Sequence, residues 1–195
     1  MNHHFLFEQL WENSILIEFS KQKNLPLLVD AFALIHKEFP DYRLRIIGDS
    51  INQEGDQVLQ EVRKQIDLLQ LNEFVDFEPF CENIHEVVLK DAMYVNSSDY
   101  EGISNAMLEA MAIGMPVVCT DCPVGGAALV IKNNVNGMLV EVGNCEQLSW
   151  AISKILSDKE FSQTISRNAS NIRQKLSIEN IGKQWLEIIE WKKNF

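Results

Sequence analysis

An α/β fold with a mainly parallel sheet and helices on both faces is predicted by three observations. From Asn24 onward, apolar residues switch repeatedly between helical spacing and short strand-like runs. The intervening helices are long enough to act as crossovers, which run right-handed and place successive strands in parallel. The punctuation falls where it should, with Pro40 and Gly114 closing helices and Gly48 turning the chain after a strand.

In chain order, LPLLVDAFALIHKEF carries Leu27, Leu28, Ala31, Phe32 and Ile35 at helical spacing, and YRLRIIGD follows as a strand. GDQVLQEVRKQIDLLQL puts Val58, Leu59, Val62, Ile66 and Leu69 on one helical face; EFVDFEPF reads as the next strand and NIHEVVLKDA as an amphipathic segment. AMYVNSS is a strand, SNAMLEAMAIG a helix and MPVVCTD a strand. GGAALVIKN is a short helix, NGMLVEVG a strand and CEQLSWAISKILSD a helix with Trp150 in its core. IENIGKQWLEIIEWKKNF places Ile178, Ile181, Trp185, Ile188 and Ile189 at helical spacing, which on its own reads as a helix docked on this domain's core. The expected divisions are a leader or remnant over 1–20, a Rossmann-like domain over 21–177 and a terminal helix over 178–195.

Composition narrows the function. With 195 residues, a 46% hydrophobic content and 23% charged residues, the chain suits one soluble globular domain. A formal net charge of −11 argues against non-specific binding to nucleic acid, which needs clustered cations to displace counterions from phosphates. The start has no basic n-region and carries Glu8 and Glu12 where a signal peptide is apolar. No apolar run reaches the roughly 18 residues of a membrane span, so a cytoplasmic protein, at most peripheral to a membrane, is expected. Cys81, Cys119, Cys122 and Cys145 then read as reduced thiols. The CTDC spacing of Cys119 and Cys122 has no second CxxC to complete a metal site, and packing is the simpler reading. His3 and His4 lie at the end of the chain, and His36 and His85 read as surface or boundary residues rather than catalytic ones.

In parallel sheets, ligands sit beyond the carboxyl ends of the strands. SDYEGISNAMLEAMAIGMPVV falls there, and it contains neither GxGxxG nor GxxxxGK[ST]. Glu109 is the only charged residue between Ile103 and Cys119, on a helix otherwise expected to be buried. Two readings of it stand. In one, it points to solvent or to a basic neighbour, and Glu101 is a solvated loop residue. In the other, the free N–H groups of the helix face a diphosphate, while Glu101 and Glu109 accept hydrogen bonds from ligand hydroxyls. Gly102 would let the ligand approach closely and Asn105 would cap the helix. A ligand with both phosphates and hydroxyls is a nucleotide sugar.

The E-x7-E arrangement of Glu101 and Glu109 in YEGISNAMLEAMAIGMPVV resembles the donor-site motif of the family-4 retaining glycosyltransferases, which have the GT-B fold. NLPLLVDAFALI, RLRIIGD, NIHEVVLKDAMYVNSSDYEG, TDCPVGGAALVI and NGMLVEVGN resemble successive blocks of that family's C-terminal domain, over roughly Ile15 to Trp191. The resemblance implies one lobe of a GT-B fold that binds a nucleotide diphosphate sugar as donor substrate, with no metal and no further cofactor. It implies that Glu101 holds hydroxyls of the transferred sugar, that Glu109 holds the ribose, and that backbone amides of Gly102, Ile103, Ser104 and Asn105 face the sugar and diphosphate. Lys23 matches the lysine that neutralises the departing diphosphate. The implied reaction is glycosyl transfer to an acceptor hydroxyl with retention, in the synthesis of bacterial polysaccharides or lipid-linked glycans. Implied partners are the donor, a glycan or lipid-linked acceptor, and a separate N-terminal lobe, toward which the resemblance would have the terminal helix cross as the alternative to docking on this domain.

Three departures keep a second expectation open, that of a truncated, non-catalytic binding or interaction protein. Ile17 and Glu18 stand where Gly-Arg is usual, and exchanging a cation for an anion about 4 to 6 Å from a diphosphate costs several kcal/mol even at an effective dielectric near 20. Glu18 could also pair with Lys23. Glu78-Pro79 replaces a common Leu-Gly. The N-terminal acceptor domain has no counterpart in the residues before Ile15, so little transfer by this chain alone is expected.

Overall fold

The computed structural model describes residues 12–18, 21–48, 53–81, 88–123 and 125–193. Six strands form one parallel sheet in the order β3-β2-β1-β4-β5-β6. They are β1 (Glu12–Glu18), β2 (Arg43–Ile47), β3 (Val75–Glu78), β4 (Asp91–Asn96), β5 (Val117–Thr120) and β6 (Met138–Val140). Strand order reverses direction between β1 and β4, the position at which parallel sheets open a crevice.

Residues 12–18 fall within the stretch expected to be a leader or remnant over 1–20. They form a central strand, with Leu16 paired to Arg45 on one side and to Tyr94 on the other. Position 11 and those before it lie outside the described residues.

The helices are α1 (Leu25–Glu38), α2 (Gln53–Leu68), α3 (Asn105–Ile113), α4 (Gly126–Val130), α5 (Cys145–Ser157), α6 (Lys159–Ala169), α7 (Ile172–Lys175) and α8 (Ile178–Lys193). Helices α6 and α7 occupy the stretch between Asp158 and Ile178, where no element was expected. One face of the sheet packs Leu44, Ile46, Met93, Val95 and Val118 against α1, α2 and α5. The other packs Tyr94, Val117 and Cys119 against α3 and α4. Helix α1 shows why its sequence folds so: Leu25, Leu28, Phe32 and Ile35 recur at helical spacing and are at most 1% exposed. Each contributes about 1.5–3 kcal/mol of burial.

Two expectations for packing fail. Trp150 lies on the outer face of α5 and is 61% exposed, because Leu148, Ala151, Ile152 and Ile155 already fill the inward face. Leu69 falls beyond the end of α2 and is exposed, while Val62 and Ile66 face inward as expected. On helix α8, Ile178, Trp185, Leu186, Ile188 and Ile189 are all exposed, so among the described residues these side chains do not join the core. Residues 83–87 of the NIHEVVLKDA segment, with His85, lie outside the described residues, while Val88 is buried. His36 is half-buried with its ring against Phe74, a boundary position.

Candidate donor site at the carboxyl edge of the sheet

The crevice between β1 and β4 is built from two loops. The first runs from β1 through a 3-10 turn (Lys21–Lys23) into α1. Asn24 caps α1 from a left-handed conformation (φ 44°), its side chain accepting from Leu27 N and donating to Asp99. The second loop leaves β4 at Asn96 and enters α3 at its N-cap. Backbone and side-chain bonds tie the two together: Asp99 N donates to the Gln22 carbonyl, and the Ser97 hydroxyl donates to the Lys23 carbonyl.

These ties bring Lys23 and Glu101 together. Lys23 Nζ donates to Glu101 Oε2 at 2.6 Å, with the lysine side chain 3% exposed and the glutamate side chain 16% exposed. Gln22 Nε2 donates to Oε1 at 3.0 Å, and Asn96 Nδ2 to Oε2 at 3.3 Å. The Ser98 hydroxyl lies 2.9 Å from Oε2 and 2.5 Å from Asn96 Oδ1; its one proton serves one of them at a time. Burial pushes the Glu101 carboxyl up, but the Lys23 ammonium, with Ser98 and Asn96, outweighs it and holds the group below its ordinary 4.5.

Behind this cluster, β5 supplies the support. Thr120 Oγ1 donates to the Ser98 carbonyl at 2.6 Å, and Cys122 Sγ donates to the same oxygen at 3.2 Å. Burial pushes both the Cys119 and Cys122 thiols up, and all four cysteines are free. The reading of CTDC as packing agrees with these positions.

Helix α3 departs from two expectations. Its N-cap is Ser104, whose side chain accepts from Met107 N, and not Asn105, which is exposed as the first helical residue. Glu109 stands four residues after Asn105 on the same exposed face, so it carries no desolvation cost. Helix α3 is therefore buried on one side only, by Met107, Ala110 and Met111. Glu101 and Lys23 are brought into contact, while Glu109 joins none of the described hydrogen bonds or ion pairs of that cluster. Gly102 and Ile103 are exposed and Ser104 is buried.

Gln22, Asn96 and Ser98 surround Glu101, and Gly126 lies against the Gly102 carbonyl of the same loop; the sequence singled out none of the four. Asn96 and Ser98 lie within five residues of Glu101 but Gln22 is 79 positions away, and no local signal marked any of them. Glu78, the residue of the second departure, pairs with Arg45 at 2.8 Å, and Arg45 also reaches the fully buried Asp91 at 2.7 Å. The Glu18 side chain lies outside what is described, so its suggested pairing with Lys23 does too.

A parallel sheet with polar side chains gathered at its topological switch point is a Rossmann-like lobe, and its structural neighbours are GT-B glycosyltransferases. Residues 15–172 match the model of the glycosyl transferases group 1 family, and the chain belongs to that family. The poly(glycerol-phosphate) alpha-glucosyltransferase of Bacillus subtilis (strain 168) is 29% identical over 171 residues, covering 88% of this chain and 24% of that protein. Anabaena HepE in complex with UDP superposes with a TM-score of 0.82 at 28% identity, over 92% of this chain and 49% of that one; HepE also has a structure with UDP-glucose. The C-terminal domain of the Francisella tularensis group 1 protein LpcC, at 22% identity and a TM-score of 0.74 over 86% of its length, speaks to the fold alone. This chain thus spans a quarter to a half of the longer relatives. Among the described residues, no helix is long and apolar enough to cross a membrane.

Proposed function

We propose that this domain binds a nucleotide diphosphate sugar and supplies the donor half of a retaining glycosyltransferase. The observation that carries this is the meeting of Lys23 and Glu101, 78 positions apart, at the switch point of the sheet. A buried ammonium beside a carboxylate suits a ligand with a diphosphate next to hydroxyls. HepE, crystallised with UDP and with UDP-glucose, supports a uridine nucleotide as the first donor to test.

In this reading Lys23 offsets the charge that develops on the diphosphate as the bond from the sugar's anomeric carbon to the phosphate oxygen breaks. That oxygen keeps the electron pair and takes up the proton of the acceptor hydroxyl, whose oxygen bonds to the anomeric carbon on the same face, so that configuration is retained. Glu101 orients the sugar hydroxyls. The exposed Glu109 holds the ribose, and the backbone of Gly102, Ile103, Ser104 and Asn105 faces the sugar and diphosphate. Neither a metal nor a further cofactor is assigned a role. The acceptor in this reading is a glycan or lipid-linked glycan, bound by a second lobe; a Campylobacter jejuni relative named as an N-acetylgalactosaminyltransferase acting on a diphospho-undecaprenol-linked saccharide supports the lipid-linked choice.

Calorimetric titration of the 195-residue chain with UDP and UDP-glucose tests the donor reading. Saturable binding of both supports it, and Glu18→Arg raising affinity would locate the cost of the missing arginine. Undetectable binding at millimolar ligand by both proteins would reject it.

A further inference from the structure

An ionised carboxylate offers about four lone-pair sites, and Glu101 has committed most of them within the protein. Its Oε2 accepts from Lys23 and Asn96 and lies within reach of Ser98, while Oε1 accepts from Gln22. Lys23, at 3% side-chain exposure, sits under its own loop and against that carboxylate. An ammonium so buried is held by a counter-charge.

We propose that Glu101 is the built-in counter-ion of Lys23, that a diphosphate binds by drawing Lys23 off this carboxylate, and that Gln22 is the positioning residue that keeps Glu101 in place during the exchange. This rests on the donor-site reading above and deepens it. Gln22 holds the other oxygen from the lysine loop, so Oε1 stays anchored when Oε2 loses its ammonium. The terminal phosphate of a free nucleoside diphosphate carries more negative charge than one esterified to a sugar, so the product competes harder for Lys23 than the donor does. Glu101 offsets that advantage and favours product release.

The test compares UDP and UDP-glucose binding to the full 195-residue chain and to Glu101→Gln, which keeps the shape of the side chain and removes its charge. The proposal expects UDP affinity to rise about tenfold in Glu101→Gln, with a smaller gain or a loss for UDP-glucose. The gain should vanish in the Lys23→Met background, as coupled residues require. Gln22→Met should weaken UDP-glucose more than UDP. Should Glu101→Gln fail to fold by circular dichroism, Glu101→Asp, which draws the carboxylate back by one methylene, takes its place with the same expectation. Equal or weaker UDP binding by the folded variant, with wild type still binding, overturns the counter-ion role and leaves the donor site standing. Absence of UDP binding by both overturns the counter-ion role and the donor reading together.

Discussion

Gly126 lies against the backbone of Gly102 so closely that a Cβ at position 126 would stand 1.8 Å from the Gly102 carbonyl oxygen and 2.6 Å from the Ile103 nitrogen. A Cβ at Gly102 itself would meet nothing within 4 Å. The glycine that this contact requires is therefore in α4, and the donor loop is braced by the start of that helix. Gly126→Ala must push back the 102–103 peptide, a backbone group with no flexible end to yield. We expect it to destabilise the domain by about 1–3 kcal/mol, as overpacking does, and to weaken nucleotide binding. Gly102→Ala should leave the melting temperature nearly unchanged.

Lys23→Met should destabilise the chain by about 1–3 kcal/mol, the cost of leaving a partly buried acceptor without its donor. The matched double variant Lys23→Met/Glu101→Gln should recover part of that loss. Urea unfolding of the two singles and the double measures it, and simple additivity would refute the coupling.

Arg45 bridges Glu78 on β3 and the fully buried Asp91 on β4. The hydrogen bonds from Arg45, its charge adding to them, hold Glu78 below its ordinary range against the opposing effect of burial. Arg45→Met removes both partners' cation and should cost roughly 3–5 kcal/mol in urea unfolding, the range for breaking a buried pair. Arg45→Lys should fall between, because an ammonium cannot reproduce the two-pronged contact.

Acid should destabilise this protein in part through three of its lowered carboxyls, those with some burial. Arg43 depresses Asp76, Arg45 depresses Glu78, and Lys23 with its neighbours overcomes burial at Glu101. A depressed group contributes stability in full above its unfolded value, here 3.8 for Asp and 4.5 for Glu, and loses it as pH falls through the folded value. The unfolding free energy attributable to these groups should be flat from neutral pH down to the ordinary carboxylate range and fall below it. Urea titrations at a series of acid pH values check this, and a decline already complete above that range would contradict it.

Trp185 is 62% exposed on α8, with Ile188 and Ile189 beside it at similar exposure. Trp185→Ala should change the stability of the 195-residue chain by no more than about 0.5 kcal/mol, as ordinary surface substitutions do. A loss of several kcal/mol would mean the helix packs more tightly than this.

The strand and helix order was readable because each element has its own periodicity and stop signal, as in α1 with Leu28, Phe32 and Ile35. β1 was not, since ENSILIE follows residues that match nothing recognisable and becomes a strand by pairing with β2 and β4. Trp150 was misplaced because the helical pattern of α5 holds more apolar residues than its inward face can take. Glu101 and Lys23 could be named from the spacing of a motif and a resemblance. Gln22, Asn96 and Ser98 could not, because short polar side chains are common in loops and nothing local distinguishes those that converge on a carboxylate.

By itself the sequence determined the alternation of elements, the class of fold and the two acids of the motif, because these follow from local periodicity and from residue types at fixed separations. Tertiary structure alone decided that Lys23 answers Glu101 across 78 positions, that Glu109 faces outward, and that Gly126 braces Gly102. Those relationships depend on which strands lie side by side and on how closely two backbones approach, and neither quantity is carried by any single stretch of chain.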